Sequence, residues 1–204
     1  MNRLLITFGL LITSAVGFCQ ANYNVTDPEK EFKEAKEFFM KDEYSLAYPI
    51  LRSLKDQFPE NTQSSHAYLN QDLEYYYIVC GLKLNQSVAE SEAKRYILSA
   101  NNEPRQQMLS YQLAKYYFAK SDFSDAAASY ERAGYDNLSN DEIADAKFEL
   151  AYSYFNLKEF EKAKPLFNEI HQLPSNKYYY DANYYYGFIC YRDRNFGEAL
   201  TSFQ

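Results

Sequence analysis

Ala146-Lys147-Phe148-Glu149-Leu150-Ala151-Tyr152-Ser153-Tyr154, then Phe160-Glu161-Lys162-Ala163 and Phe167 beyond a short polar break, is the stretch from which the rest of the chain can be read. Its apolar residues recur at separations of three and four, which puts one stripe on each of two helices. Ala151 and Ala163 let the two backbones approach, and a large residue such as Phe167 fills the hollow beside them. Asn156-Leu157-Lys158 supplies a turn between the helices.

The same arrangement recurs along the chain. Small residues 12 positions apart occur five times, as Ala35/Ala47, Gly81/Ala93, Ala114/Ala126, Ala151/Ala163 and Gly187/Ala199. Four residues after the second small residue stands a large apolar one: Leu51, Ile97, Tyr130, Phe167 and Phe203. Three residues before it is an aromatic in four copies, Tyr44, Phe123, Phe160 and Phe196, which plugs the end of the hairpin where the chain turns back. Glu90 takes that place in the second copy, and Glu34 replaces an apolar residue in the first. Pro59, Pro104 and Pro174 are expected to stop three of the second helices, and Pro49 and Pro165 to kink two of them mildly. A period of this length with helical spacing is the mark of a repeat array.

These residues resemble the tetratricopeptide repeat family, over about residues 28–204. The resemblance implies an all-α fold, a right-handed superhelical solenoid of antiparallel helix pairs. It divides the chain into five units at 28–61, 62–106, 107–143, 144–179 and 180–204, the last one truncated, with a polar insertion at Thr62 to Asp72. The chain is also similar to the amino-terminal part of large secreted multi-repeat proteins of Gram-negative bacteria. Because no polar capping helix follows Phe203, the sequence reads as a fragment of a longer protein.

The amino end reads as a targeting segment. Arg3 precedes an uncharged, mostly apolar run from Leu4 to Phe18, and small and polar residues follow. This is the layout of a secretory signal peptide over 1–21, with a short leader at 22–27. The run falls short of the roughly 20 residues that span a bilayer. The expected location is therefore beyond the inner membrane, periplasmic or outer-membrane-associated. Cys19 could carry a lipid anchor, but the bulky Phe18 before it suits such a signal poorly. Membrane attachment is expected only through that route. Cys80 and Cys190, three repeats apart, should be free buried thiols.

Composition narrows function further. The 204 residues carry 28 acidic against 21 basic side chains, a net charge of −7, and no basic patch offsets it, so nucleic acid is not an expected partner. His66 and His171 have no partners at metal-ligand spacing, no glycine loop could cradle a phosphate, and no metal or cofactor is expected. Three glycosylation-type sequons, at Asn24, Asn85 and Asn137, read as chance products of the composition. No catalytic constellation emerges, and the chain reads as a non-enzyme.

What remains is aromatic: 22 Tyr, 15 Phe and no Trp. In the family that the repeats resemble, the first helix of each pair lines an inner surface where ligands lie. The positions this implies are Phe32, Lys36 and Phe39, then Ile78 and Leu82, then Tyr111, Lys115 and Phe118, then Phe148, Tyr152 and Phe155, and finally Tyr184, Phe188, Tyr191 and Arg192. The aromatic ones among them are the candidate partner-binding residues. The family's clamp of Lys, Arg and Asn for a terminal carboxylate is not present, with Phe32, Tyr111 and Gln112 in the places concerned. The expected function is a protein-interaction scaffold of the bacterial cell envelope that holds a peptide or protein. The alternatives are a lipid-tethered envelope-assembly protein, and the docking region of a larger enzyme or motility component.

Overall fold

The computed structural model describes residues 27–58, 67–100 and 102–204, with side chains from residue 72 onward in the middle segment. The signal segment, Cys19, Asn24, Pro59 and His66 lie outside the described residues. Within them the chain forms ten helices and no strand: α1 (Pro28–Met40), α2 (Tyr44–Gln57), α3 (Ala67–Lys83), α4 (Ala89–Ser99), α5 (Glu103–Ala119), α6 (Phe123–Ala133), α7 (Asn140–Asn156), α8 (Phe160–His171), α9 (Tyr179–Arg192) and α10 (Phe196–Ser202). Each odd-numbered helix pairs with the even-numbered one after it, and each pair packs on the next, which makes an all-α solenoid.

Local chemistry sets the helix starts. Asp27 accepts from the Glu29 amide, with Pro28 in the first turn of α1. Asn102 accepts from the Arg105 amide, and Ser139 and Glu142 form a reciprocal capping box at α7. Pro104 therefore opens α5 rather than closing α4, which already ends at Ser99; a proline in the first turn gives up only an amide that has no helical partner. The unit boundaries expected after 106 and after 143 consequently fall inside α5 and α7. Pro49 and Pro165 lie inside continuous helices.

The turn within each pair is built the same way five times. Asp42, Asn85, Ser121, Lys158 and Arg194 take left-handed φ values between 53° and 63°. The amide of each donates three residues back, to Phe39, Leu82, Phe118, Phe155 and Tyr191 respectively, and satisfies carbonyls the helix end would orphan. In four pairs this residue lies seven after the small residue of the first helix. In the second it is Asn85, which makes Ile78, not Gly81, the equivalent of Ala35, Ala114, Ala151 and Gly187. An added turn at Gln86–Val88 takes up the difference before α4 begins.

Between paired helices the small residues are shut off from solvent, as are Leu51, Tyr130 and Phe167 in the hollows beside them. One apolar cluster spans α1 to α6 and a second spans α5 to α10, and Phe118 packs against both. Cys80 and Cys190 are free and buried, as their places in the array require.

Candidate functional site

The candidate rings fall at fixed offsets from the small residue of each first helix, and each offset has its own neighbours. Four residues after it stand Phe39, Phe118, Phe155 and Tyr191. Each meets the turn aromatic of its own pair edge to face: Phe39–Tyr44 at 5.5 Å, Phe118–Phe123 at 6.0 Å, Phe155–Phe160 at 5.4 Å and Tyr191–Phe196 at 5.5 Å between centroids. These rings staple the hairpins. The second pair has no such ring at its turn, and there Glu90 accepts from the Tyr117 hydroxyl and the Lys94 ammonium, both at 2.9 Å, which ties the turn to α5 instead.

Three residues before the small residue stand Phe32, Tyr75, Tyr111, Phe148 and Tyr184. One residue after it stand Lys36, Val79, Lys115, Tyr152 and Phe188. These offsets form the seam between successive first helices. The inward residues expected of the second pair, Ile78 and Leu82, are core residues; the three-residue shift puts Tyr75 and Val79 there instead. Phe32 is only 7% exposed and Tyr111 2%, whereas Tyr184 is 58% and Tyr191 62% exposed. Phe39, Phe118, Phe148, Tyr152 and Phe155 are half-buried, and Phe188 is exposed.

What covers the seam is the residue two before the small one on the following first helix. In α3 it is Tyr76, whose ring lies 5.9 Å from Phe32 and 4.8 Å from Phe39. In α9 it is Tyr185, in ring contact with Tyr152 at 5.3 Å, Phe155 at 4.9 Å and Phe167 at 5.3 Å. Among the described residues no ring covers Tyr184, Phe188 and Tyr191 in the same way.

In α7 the covering residue is Glu149, buried and charged. It accepts from the Tyr130 hydroxyl and pairs with the Lys115 ammonium at 3.4 Å. Lys115 also pairs with Asp145 at 3.1 Å, and Asp145 in turn takes the Tyr178 hydroxyl at 2.7 Å and the Lys177 ammonium. Burial would push the Asp145 carboxyl up, but its bonds to Lys177, Tyr178 and Lys115 outweigh it and hold the group below the usual carboxylate range. Burial likewise opposes the charge on Lys115, and Glu149 and Asp145 more than restore it.

In α5 the covering residue is Gln112, and here a cavity lies at the seam. A cavity of about 440 Å³ lies over α3, walled by Phe39, Tyr75, Val79 and Tyr111, with Met40, Met108, Lys83 and Gln112 around it and Glu142 of α7 at its edge. It thus runs across α1, α3, α5 and α7, the first helices of four successive pairs. Gln112 Oε1 is buried without a hydrogen-bond partner. Among the described residues no carboxylate lies within ion-pair reach of Lys83; its ammonium sits 6.0 Å from the Tyr44 ring, and burial together with the neighbouring charge of Lys115 lowers its pKa.

His171, the last residue of α8, stacks on Tyr186 and meets Asn183 at 3.1 Å. Among the described residues no group of three or more His, Cys, Asp or Glu could hold a metal ion, and no helix is long and apolar enough to cross a membrane.

No protein-family model and no curated protein sequence matches the chain. Solved structures do. A MamA mutant aligns with a TM-score of 0.66 at 16% identity, over 86% of this chain and 93% of that one. MamA (MSR-1) gives 0.62 at 16%, over 86% and 92%, and MamA (AMB-1) gives 0.65 at 15%, over 86% and 87%. At these identities the likeness is one of fold, a tetratricopeptide-like helical solenoid.

Proposed function

We propose that the chain is a non-enzymatic protein–protein interaction scaffold working outside the cytoplasm, in the bacterial cell envelope. It takes an extended segment of a partner along the face built by α1, α3, α5 and α7. The observation that carries this reading is the cavity on that face, to which the first helices α1, α3 and α5 contribute apolar, aromatic and methionine side chains and α7 contributes Glu142. A concave, mostly apolar wall with a few polar groups is what a recognition site needs. The location is supported by the pattern of Arg3, the apolar run Leu4 to Phe18 and the small residues after it; attachment to a membrane would require a lipid on Cys19.

A photo-crosslinking amino acid placed at Met40 or Met108 tests the face directly. Both positions should give an adduct with a discrete protein partner in cells, and Leu98, 77% exposed on the second helix α4, should give none. Equal adducts from all three positions, or none from the cavity, would refute the reading.

A further inference from the structure

We propose that the cavity between α3 and α5 is a subsite for one tyrosine side chain of the partner's segment, and that Gln112 is the residue that selects it. This rests on the reading of the same face as a binding surface, and names what enters it.

The argument is positional. At the offset occupied by Gln112 the second and fifth pairs carry Tyr76 and Tyr185, and each ring fills the seam of the preceding pair against two or more aromatic neighbours. Gln112 is smaller, and a cavity lies beside it whose lining includes Tyr75 and Val79, the counterparts of the residues those rings cover. The cavity is therefore shaped for a ring that this chain supplies elsewhere and withholds here. Its walls offer faces and edges of Phe39, Tyr75 and Tyr111, which favour a flat aromatic guest.

The polar groups choose among guests. Gln112 Oε1 is an acceptor without a donor. A small rotation of the half-buried Gln112 side chain presents it to a phenolic O–H, which phenylalanine lacks. Lys83 is a cation with no carboxylate partner among the described residues, placed to sit over the guest's π face as it does over Tyr44. The lining holds a second ammonium, Lys115, but Asp145 and Glu149 already pair with it, so an acidic side chain would find only Lys83 and would face the Glu142 carboxylate at the edge, and is disfavoured.

The chain has three methionines, and two of them, Met40 and Met108, line this cavity, which makes methyl NMR of the full chain a local readout. With 13C-methyl methionine, titration with N-acetyl-tyrosinamide should shift both methyls saturably. N-acetyl-phenylalaninamide should bind about five-fold more weakly, the worth of one hydrogen bond. N-acetyl-aspartamide should leave them unmoved. Gln112→Leu should abolish the preference for tyrosine over phenylalanine while raising the melting temperature, since a buried unsatisfied oxygen is removed; loss of binding through misfolding would lower it. Response to the acid and not to the rings would overturn the proposal, as would a tyrosine preference that survives Gln112→Leu. Partner adducts from Met40 and Met108 together with methyls indifferent to tyrosine amide would leave the binding face standing and remove the tyrosine subsite. Tyrosine-amide binding without any adduct would do the reverse.

Discussion

Gly81→Ala tests the register of the second pair, because in that register Gly81 lies three residues beyond the counterpart of Ala35 and marks the close approach of α3 to the start of α4. A Cβ built on Gly81 would lie 2.9 Å from Ala89 Cβ and 3.6 Å from Tyr48 Cε2. Carbon atoms rest at about 3.5–4.0 Å, so the new methyl overlaps its neighbour by roughly half an ångström or more. Ala89 is buried at the start of α4 and its methyl has no rotamer to retreat into, so the two helices must part. Overpacking of this kind costs about 1–3 kcal/mol. Replacing a mid-helix glycine by alanine returns about 1 kcal/mol of helix propensity, so the net loss is about 1 kcal/mol, or a fall of roughly 2–4 °C in melting temperature for a chain of this size. Thermal unfolding followed by circular dichroism measures the loss, and hydrogen exchange should place it in α3 and α4, since repeat arrays can open unit by unit. The double variant Gly81→Ala with Ala89→Gly removes the overlapping methyl and should show about 1 kcal/mol of favourable coupling relative to the sum of the single changes. A stabilised Gly81→Ala, or strict additivity in the double variant, would refute the close approach.

At Gly187 the added Cβ meets the tip of the exposed Phe203 ring at 2.8 Å and Ser202 Cβ at 3.0 Å, both at the end of the short α10, which can give; Gly187→Ala should therefore lie within about 0.5 kcal/mol of the parent in the same melts. Burial pushes Tyr75 and Tyr117 up to about 12, Lys94 pulling against it at Tyr117. Because their folded pKa values are raised, their contribution is whole below pH ~10 and is lost as pH climbs toward 12, on the order of 2–3 kcal/mol for Tyr75 and less for Tyr117, whose hydroxyl solvent screens; helix loss and the last tyrosinate absorbance should coincide in an alkaline titration, and full ionisation of an intact helical chain would contradict this. Asp145 has a depressed folded pKa, so its contribution is present above pH ~4 and disappears as pH falls through its folded value. Asp145→Asn should cost about 1–2 kcal/mol at neutral pH and flatten the acid limb of the stability profile; an unchanged limb in denaturant titrations would count against the Lys115–Asp145–Lys177 network. Burial pushes the Cys80 thiol up to about 12 and raises Cys190 as well, so neither should react with iodoacetamide before unfolding, and site-resolved mass spectrometry finding native Cys80 modified at a free-thiol rate would refute that.

Four of the five pairs were legible in the sequence because small residue, turn aromatic and filler recur at fixed spacing, and that spacing is dictated by how closely two helices can pack. The second pair misled because Gly81 and Ala93 stand 12 apart by coincidence, while the left-handed turn residue that sets the register is Asn85. A signal for the correct register was present: aligning Tyr75-Tyr76-Tyr77 with Tyr184-Tyr185-Tyr186 pairs Ile78 with Gly187. Pro104 misled for a different reason, since a proline suits the first turn of a helix as well as it ends one. The candidate rings were legible as apolar first-helix positions, but exposure depends on what the next helix lays over them. Phe32 and Tyr111 disappear into the seam, and Lys83, Met40 and Gln112 emerge beside it, although none of the three stands out as a binding residue in the sequence.

One repeat offset decides the character of every seam in the molecule. Tyr76 and Tyr185 close theirs with a ring, Glu149 closes its own with a buried charge held by Lys115 and Tyr130, and Gln112 leaves a cavity beside it. A solenoid built by repetition gains stability from every copy that follows the rule. It can therefore spend one copy on breaking it, and an unfilled seam with an unsatisfied acceptor is destabilising unless something else occupies it. The cavity sits at that exception, between a seam that Tyr76 covers with a ring and one that Glu149 covers with a buried charge. That contrast within a single polypeptide is a stronger argument for a binding site than the abundance of aromatic residues, because the filled copies show what the empty one would look like had packing been its only purpose.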